Sequence, residues 1–252
     1  MIRLLIEDTI YDNNITVLKI LIRYINPSYN NNLAIRYASK IGRTNIIKLL
    51  LSDDRVDPSA NNNYAVRFAS YGGYADILKL LLKDKRVDPG ADDNSAIVFA
   101  SSFGYIDIVK LLLKDKRVDP SDRDNYAIRW ASEFGYINIV KLLLSDKRVD
   151  PSAASNSAIG YASETGHLDV AKLLLKDERV DPSDRHNYAI RCASENGHLE
   201  VVKLLLKDSR VGPSDKDNFA IKIASNNGHV AVVQLLLLDE HVKSKRVPNL
   251  IF

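Results

Sequence analysis

The 252-residue sequence contains one cysteine, Cys192, and no apolar run long enough to cross a membrane. A single cysteine excludes an intrachain disulfide, and such a composition agrees with a reducing compartment. We expect Cys192 to be a small buried residue and not a reactive thiol. A spanning helix needs about 20 apolar residues, and Glu7, Asp8 and Asp12 interrupt the place where a signal peptide would be apolar. The expected protein is soluble, cytoplasmic and without membrane contacts.

The sequence also lacks segregated charge. Its 35 Lys and Arg residues against 32 Asp and Glu residues give a net charge of +3, and the two signs alternate along the chain. Binding to a nucleic-acid backbone needs clustered Lys and Arg, so nucleic acid is not an expected partner. Six arginines that recur at one position, each with an acidic residue two places before it, are expected to form a local charge ladder. They are Arg55, Arg86, Arg117, Arg148, Arg179 and Arg210.

Motifs for catalysis and for cofactor binding are missing as well. There is no phosphate-binding glycine loop, no nucleophile elbow and no paired cysteine motif. The polar residues recur along the chain, whereas a catalytic site needs a unique convergent cluster. We expect no enzymatic activity, no cofactor and no metal. His167, His198 and His229 share one position, but neighbouring helices lie about 8–10 Å apart, too far for ligands that each sit about 2 Å from one ion.

What the sequence does have is strict repetition with a period of 31 residues. Prolines from Pro27 to Pro213, glycines from Gly42 to Gly228 and asparagines from Asn32 to Asn218 each recur seven times at this interval. Three columns with one period indicate a unit that is stacked on copies of itself and depends on its neighbours to bury a core. Arrays of this kind usually provide extended binding surfaces.

Within one repeat the pattern predicts a helix, a tight turn, a second helix and an extended loop. Asn187 is expected to cap a short first helix with its side-chain oxygen, and Gly197 is expected to end that helix with a positive φ. The segment Leu199–Leu206 is apolar nearly all round, which predicts a second helix that is buried on most sides. Each Arg-Val-Asp-Pro segment then stops the helix, as at Pro182.

The segment Ala193–Leu206, Ala-Ser-Glu-Asn-Gly-His-Leu-Glu-Val-Val-Lys-Leu-Leu-Leu, closely resembles the helix–turn–helix body of the ankyrin repeat, and weaker copies cover most of the chain. The resemblance implies an all-α ankyrin-repeat solenoid of stacked helix-turn-helix units with short projecting loops and a concave face. It also implies that the three histidines belong to the turn. The Thr-Pro-Leu-His opening of the family is replaced by Tyr188-Ala-Ile-Arg191, and the period is shorter than about 33 residues. We therefore do not expect a β-hairpin in every loop.

These patterns predict three parts of the chain. Residues 1–26 read as a degenerate N-terminal capping helix pair, residues 27–242 as seven ankyrin-type repeats of period 31, and residues 243–252 as a C-terminal tail. Leu238 stands where other repeats have Lys or Ser, which leaves an apolar end. The tail either folds over that end or frays. Its apolar residues are Val247, Leu250, Ile251 and Phe252.

Positions that vary between repeats are the candidates for partner contacts. In the family, the outward places of the first helix line the binding face, and aromatic residues among them resemble an interface hot spot. Phe103 and Phe134 are expected to be exposed, whereas Phe99 and Trp130 fit either an interface or a core between repeats. The predicted partner-binding residues are Arg67, Tyr71, Phe99, Phe103, Arg129, Trp130, Glu133, Phe134, Glu164, Arg191 and Glu195.

The expected function is that of a non-catalytic scaffold, a monomer that binds a protein partner on its concave face and loop tips. The alternative is a structural or assembly element that self-associates through its ends. The Asn-Tyr-Ala-Ile-Arg and Arg-Val-Asp-Pro-Ser segments are similar to those of ankyrin-repeat proteins from amoeba-infecting giant viruses. That resemblance implies a host protein as the partner and the host cytoplasm as the location.

Overall fold

Short helices joined by tight turns make up the chain in the computed structural model, which describes residues 1–243. This described range holds seventeen helices and no β-strand, so the predicted all-α helical-repeat class is confirmed. The chain divides into two compact units, the first from Met1 to Asp122 and the second beginning at Arg123.

The first unit consists of paired helices in two layers. Its helices are α1 (Ile2–Tyr11), α2 (Ile15–Tyr24), α3 (Tyr29–Lys40), α4 (Thr44–Leu50), α5 (Ala60–Tyr71), α6 (Ala75–Leu81), α7 (Ala91–Ser102) and α8 (Ile106–Leu112). The first helices of successive repeats pack on one another, α3 on α5 and α5 on α7. The second helices do the same in the order α2, α4, α6 and α8, so that each pair buries its apolar side against the next pair.

The second unit repeats this arrangement. Its helices are α9 (Asp122–Glu133), which begins at the boundary of the units, α10 (Ile137–Leu144), α11 (Ala153–Glu164), α12 (Leu168–Leu174), α13 (Asp184–Glu195), α14 (Leu199–Leu205), α15 (Asp215–Asn226), α16 (Val230–Leu236) and α17 (Glu240–Lys243). Helix α11 packs on α13, and α13 packs on α15. The second layer runs through α10, α12, α14 and α16.

A turn of left-handed backbone opens the first helix of each repeat. In α5 the residues Asn61, Asn62 and Asn63 have φ values of 58°, 54° and 56°, and the corresponding residues of the other repeats adopt the same conformation. Left-handed backbone costs most residues about 1–2 kcal/mol each, whereas Asn and Asp tolerate it. This turn lies where a β-hairpin finger would stand, and the prediction that not every loop forms a hairpin is confirmed for residues 1–243.

The recurring asparagine does not cap its helix as predicted. Asn63 is buried, and its Oδ1 accepts a hydrogen bond of 2.7 Å from the backbone N–H of Asp88, in the Val-Asp-Pro segment that follows the second helix. A capping residue normally has a β-region backbone, whereas the φ of Asn63 is left-handed. The side chain therefore links the start of its repeat to the segment that follows the second helix, and it does not cap the helix N-terminus.

The second helix is less buried than predicted. In α14 only Val201, Val202 and Leu205 are buried, while Leu204 and Leu206 are half-exposed. Helix α14 packs against its own first helix, α13, and against α12 and α16. Within residues 1–243 no other helix packs closely on the remaining side of α14, which leaves these leucines partly in solvent.

The turn glycine of one repeat lies under a ring of the next. A Cβ atom added to Gly166, whose φ is +78°, would lie 2.5 Å from Nδ1 of His198. The Nε2 atom of His198 lies 2.9 Å from the carbonyl oxygen of Glu164. Tyr105 covers Gly73 in the same way in the first unit. The histidines thus belong to the inter-repeat turn, as the resemblance implied.

The arginine column forms the predicted ladder. Arg179 donates from Nε and Nη2 to the two carboxylate oxygens of Asp177 at 2.9 and 2.7 Å, and Nη1 donates to the carbonyl of Val149 in the preceding repeat at 3.0 Å. Arg117 and Arg210 donate in the same way to the carbonyls of Val87 and Val180, so these ladder arginines hold their own loops and also contact the preceding repeat. The ion pairs of this type join Arg55, Arg86, Arg117, Arg148, Arg179 and Arg210 to the Asp two residues earlier.

The N-terminal segment forms the helix pair α1 and α2, which leaves apolar side chains such as Leu4 and Ile20 in solvent. At the other end, Leu238 is 70% exposed. The predicted contact of the tail with this end lies outside the described residues, because Val247, Leu250, Ile251 and Phe252 all follow residue 243.

Candidate functional site

An aromatic cluster occupies the first helices of the first unit. The rings of Tyr71 and Phe103 lie 4.9 Å apart at 72°, and Tyr71 also meets Phe99 edge-on at 5.5 Å. Tyr71 is 47% exposed and Phe103 is 43% exposed, whereas Phe99 is half-buried. The expected exposure of Phe103 is confirmed, and Phe99 combines a packed side with an accessible one. Three predicted residues thus form one continuous apolar surface.

Two further rings extend this cluster toward a basic edge. Tyr64 and Phe68 are stacked with centroids 3.9 Å apart, and Phe68 lies 5.9 Å from Tyr71. The Arg36 guanidinium lies 5.4 Å from the Tyr64 centroid, and the Lys40 ammonium lies 6.0 Å from that of Phe68. Tyr64 was not among the predicted residues. Its spacing of four positions before Phe68 on one helix is the signal that could have identified it.

A second aromatic cluster lies in the second unit. Trp130 and Phe134 are stacked 5.4 Å apart at 13°, and Tyr126 meets Trp130 edge-on at 5.4 Å. Phe134 is 45% exposed, as expected, while Trp130 is half-buried. Tyr136 continues the series 6.3 Å from Phe134.

A cavity of about 270 Å³ opens between α9 and α11 beside the second cluster. It gathers Arg129, Trp130, Glu133 and Glu164, four of the predicted partner-binding residues, into one site. The remaining lining residues are Tyr126, Tyr161 and Thr165. The prediction missed Tyr161, although it occupies the place of Trp130 one period later, because the prediction considered the central aromatics only.

In this cavity, the pKa of Glu133 depends on its surroundings, including the carboxylate of Glu164. Burial raises the pKa of Glu133, the negative charge of Glu164 raises it further, and Arg129 opposes both effects. The hydroxyl of Tyr188 donates to Oε2 of Glu164 at 3.3 Å. Glu195, the next residue in the same column, is exposed and does not line the cavity.

Two of the predicted arginines, Arg67 and Arg191, contact both their own repeat and the next one. Arg67 donates to the carbonyl oxygens of Asn62 and Asn61 in the left-handed turn and forms a salt bridge with Asp92, so its side chain is only 15% exposed. Arg191 likewise approaches the carbonyls of its turn, and its guanidinium lies 4.9 Å from the Phe219 centroid. These arginines approach carbonyl oxygens of the left-handed turn, a role that the sequence pattern did not reveal.

The remaining chemistry-bearing residues do not form a separate site in the described range. Cys192 is buried as expected, and burial raises the pKa of its thiol. No group of three His, Cys, Asp or Glu side chains among residues 1–243 is arranged to hold a metal ion. No helix in the described part of the chain combines the length and the apolar character that a membrane crossing requires.

Comparison with known families identifies the repeat. A family model described as ankyrin repeats (3 copies) matches five overlapping stretches, residues 37–124, 63–155, 97–186, 127–217 and 159–246. A comparison with curated proteins finds no match. The matched stretches cover more than half of the chain and coincide with the helix pairs described above. The chain therefore belongs to the ankyrin-repeat family.

Proposed function

We propose that this chain is a non-catalytic protein-interaction scaffold that contacts its partner through the first helices of its repeats. Ankyrin repeats generally mediate protein–protein interactions. The observation that carries the proposal is the exposure of Tyr71, Phe103 and Phe134, large rings that a repeat array has no structural need to leave in water. Exposed aromatic residues set among half-buried ones have the composition of an interface hot spot.

The proposed interface extends beyond the aromatic rings. The partner-binding set also includes Arg67, Arg129, Arg191 and Glu195. We propose that the chain consists of a capping helix pair at 1–26, seven repeats at 27–242 and a tail at 243–252. The similarity to repeats of giant viruses supports a host protein as the partner and the host cytoplasm as the location. We further propose that the chain is a monomer.

The test is affinity capture followed by mass spectrometry, with the chain as bait in an extract of the cells in which it occurs. The Phe103→Ser/Phe134→Ser variant should lose the partner and keep its helicity by circular dichroism. A control is Tyr11→Ser/Tyr24→Ser, which removes two rings that are more exposed than Phe103 and Phe134 and lie outside both clusters. Capture that survives the first change, or is lost equally in both variants, contradicts the proposal.

The exposed apolar residues at the two ends favour a second candidate function. Leu4 and Ile20 at one end and Leu238 at the other would support self-association of a structural or assembly element. In that case the mass measured by light scattering should rise with concentration, and Leu238→Lys with Leu4→Lys should abolish the rise. The Phe103→Ser/Phe134→Ser variant should leave that rise unchanged.

A further inference from the structure

The cavity between α9 and α11 carries a net negative charge. Its lining residues include two carboxylates, Glu133 and Glu164, and one guanidinium, Arg129, so their formal charges sum to −2 + 1 = −1. The other four lining residues are uncharged. In the first unit, the places corresponding to Glu133 hold Lys40, Tyr71 and Ser102. The negative charge is therefore a feature of these repeats and not of the repeat pattern as such.

Neither carboxylate has a compensating cation in direct contact. No basic residue in the described part of the chain forms a salt bridge with Glu133 or Glu164, whereas each ladder aspartate has its arginine. Arg129 is close enough to lower the pKa of Glu133 but does not overcome the effects of burial and of Glu164. A cation placed between the two carboxylates would remove their mutual repulsion.

The cavity walls are also suited to a cation. Tyr126, Trp130 and Tyr161 line it, and aromatic faces attract ammonium and guanidinium groups. The Arg129 guanidinium already uses this attraction, at 5.1 Å from the Tyr126 centroid and 6.0 Å from that of Tyr161.

We propose that this cavity binds the ammonium group of a lysine side chain presented by the partner protein. This inference rests on the proposed function and specifies what one part of the interface recognises. Lysine fits better than arginine because its compact ammonium has three donors that can reach two separate carboxylates, whereas a guanidinium prefers one carboxylate in a bidentate pair. The aliphatic stem of the lysine would lie along the Trp130 and Tyr161 rings.

The only tryptophan of the chain lines the cavity, so its fluorescence reports on occupancy. The probes are an acetylated and amidated Gly-Gly-Lys-Gly-Gly peptide and the same peptide with norleucine or arginine in place of lysine. The lysine peptide should shift Trp130 fluorescence with an affinity in the millimolar range, and the affinity should fall as salt is added. The norleucine peptide should produce no saturable change, and the arginine peptide should bind more weakly.

Glu133→Gln and Glu164→Gln keep the shape of the cavity and remove one charge each, so each should weaken lysine-peptide binding about tenfold. The matched control is Glu178→Gln, which removes the charge of an exposed glutamate that does not line the cavity and should leave the affinity within about twofold. Equal binding of the norleucine peptide, absence of a saturable shift, tighter binding of the arginine peptide, or an equal effect of all three variants overturns the proposal.

The two proposals fail separately. Phe103→Ser alone lies in the other unit and leaves the cavity residues unchanged. If this variant loses the captured partner while the lysine peptide does not bind, the interface stands and lysine recognition is wrong. If the peptide binds as expected while capture is insensitive to Phe103→Ser and Phe134→Ser, the cavity stands and the aromatic interface is wrong.

Discussion

The side-chain oxygen of Asn156 accepts a hydrogen bond of 2.7 Å from the backbone N–H of Asp181, twenty-five residues further along the chain. The amide nitrogen of Asn156 also donates to Oδ2 of Asp184 at 2.9 Å, so this one buried side chain joins the left-handed turn, the exit loop and the start of the next repeat. The same asparagine-to-backbone bond is present from Asn32 to Asn187. Because this hydrogen bond recurs, it explains why asparagine occupies the same position in successive repeats.

Removing this side chain should destabilise the protein substantially. Asn156→Ala leaves the Asp181 N–H without its partner and places alanine at a positive φ, so the free energy of unfolding should fall by about 2–4 kcal/mol. Asn156→Gly removes the same hydrogen bonds without the steric cost and should lose about 1 kcal/mol less. Urea unfolding with an unchanged m-value is the measurement. Two variants within a few tenths of a kcal/mol of the parent would contradict the assignment.

Ala154 is a strained position that substitution should relieve. Its φ of 52° is unfavourable for alanine, and the corresponding residue in another repeat is Asn61 with a φ of 58°. Ala154→Asn should raise the free energy of unfolding by about 0.5–1 kcal/mol, because asparagine tolerates this conformation. The reciprocal change Asn61→Ala should lower it by a similar amount. Thermal or urea unfolding of the pair tests the idea, which fails if both changes have the same sign.

Two turn glycines with nearly equal φ values allow the cost of a positive φ to be measured separately from the cost of a steric clash. Gly166 and Gly228 have φ values of +78° and +75°, but an added Cβ meets the His198 ring at Gly166 and, among the described residues, nothing within 4 Å at Gly228. Alanine at either position bears the cost of a positive φ. Gly166→Ala should lower the free energy of unfolding by a further ~1–3 kcal/mol because the added Cβ overpacks the site. Equal losses measured by urea unfolding would show that the ring moves away freely.

The arginine ladder predicts how stability depends on pH. The hydrogen bond from Arg179 holds the pKa of Asp177 below its ordinary value, so the folded state binds a proton less readily than the unfolded state, whose pKa is about 3.9. The stabilisation is therefore complete above that value and disappears as pH falls through the lower folded-state pKa. Because the pair is partly exposed, it contributes only about 0.5–1 kcal/mol.

Asp177→Asn isolates this contribution. The difference in unfolding free energy between the parent and the variant should be constant near neutral pH and should shrink as pH falls below about 4. Urea unfolding at a series of pH values provides the comparison. A difference that grows in acid would mean that the carboxylate is destabilising and that the ladder has another role.

The sequence was a good guide wherever the interaction is local. Gly197 ends a helix with a φ of +73°, and the second helix begins at Leu199, as expected from glycine and the apolar run that follows it. Prediction was poorer where a partner lies far along the chain. Asn187 was assigned to its own helix, although its oxygen accepts from Gly212, because capping is the common use of asparagine at such a place.

The candidate site divides in the same way. Phe103 and Phe134 were expected to be exposed because each sits beside the turn glycine, a position that helical angle alone locates. The spacing of residues could not predict that the Arg67 guanidinium contacts Asn61, Asn62 and Asp92. Its partners lie in a left-handed turn that no propensity rule assigns to three successive residues that are not glycine.

The period of 31 residues by itself determined that this is a stacked array, because so small a unit cannot bury enough apolar side chains without its neighbours. The apolar spacing within one repeat determined that the units are helical. Only the tertiary structure decided that Glu133, Glu164, Trp130 and Tyr161 share one cavity. The physical reason is that a period places residues in columns, whereas the direction and spacing of side chains between adjacent columns depend on how one helix packs on the next.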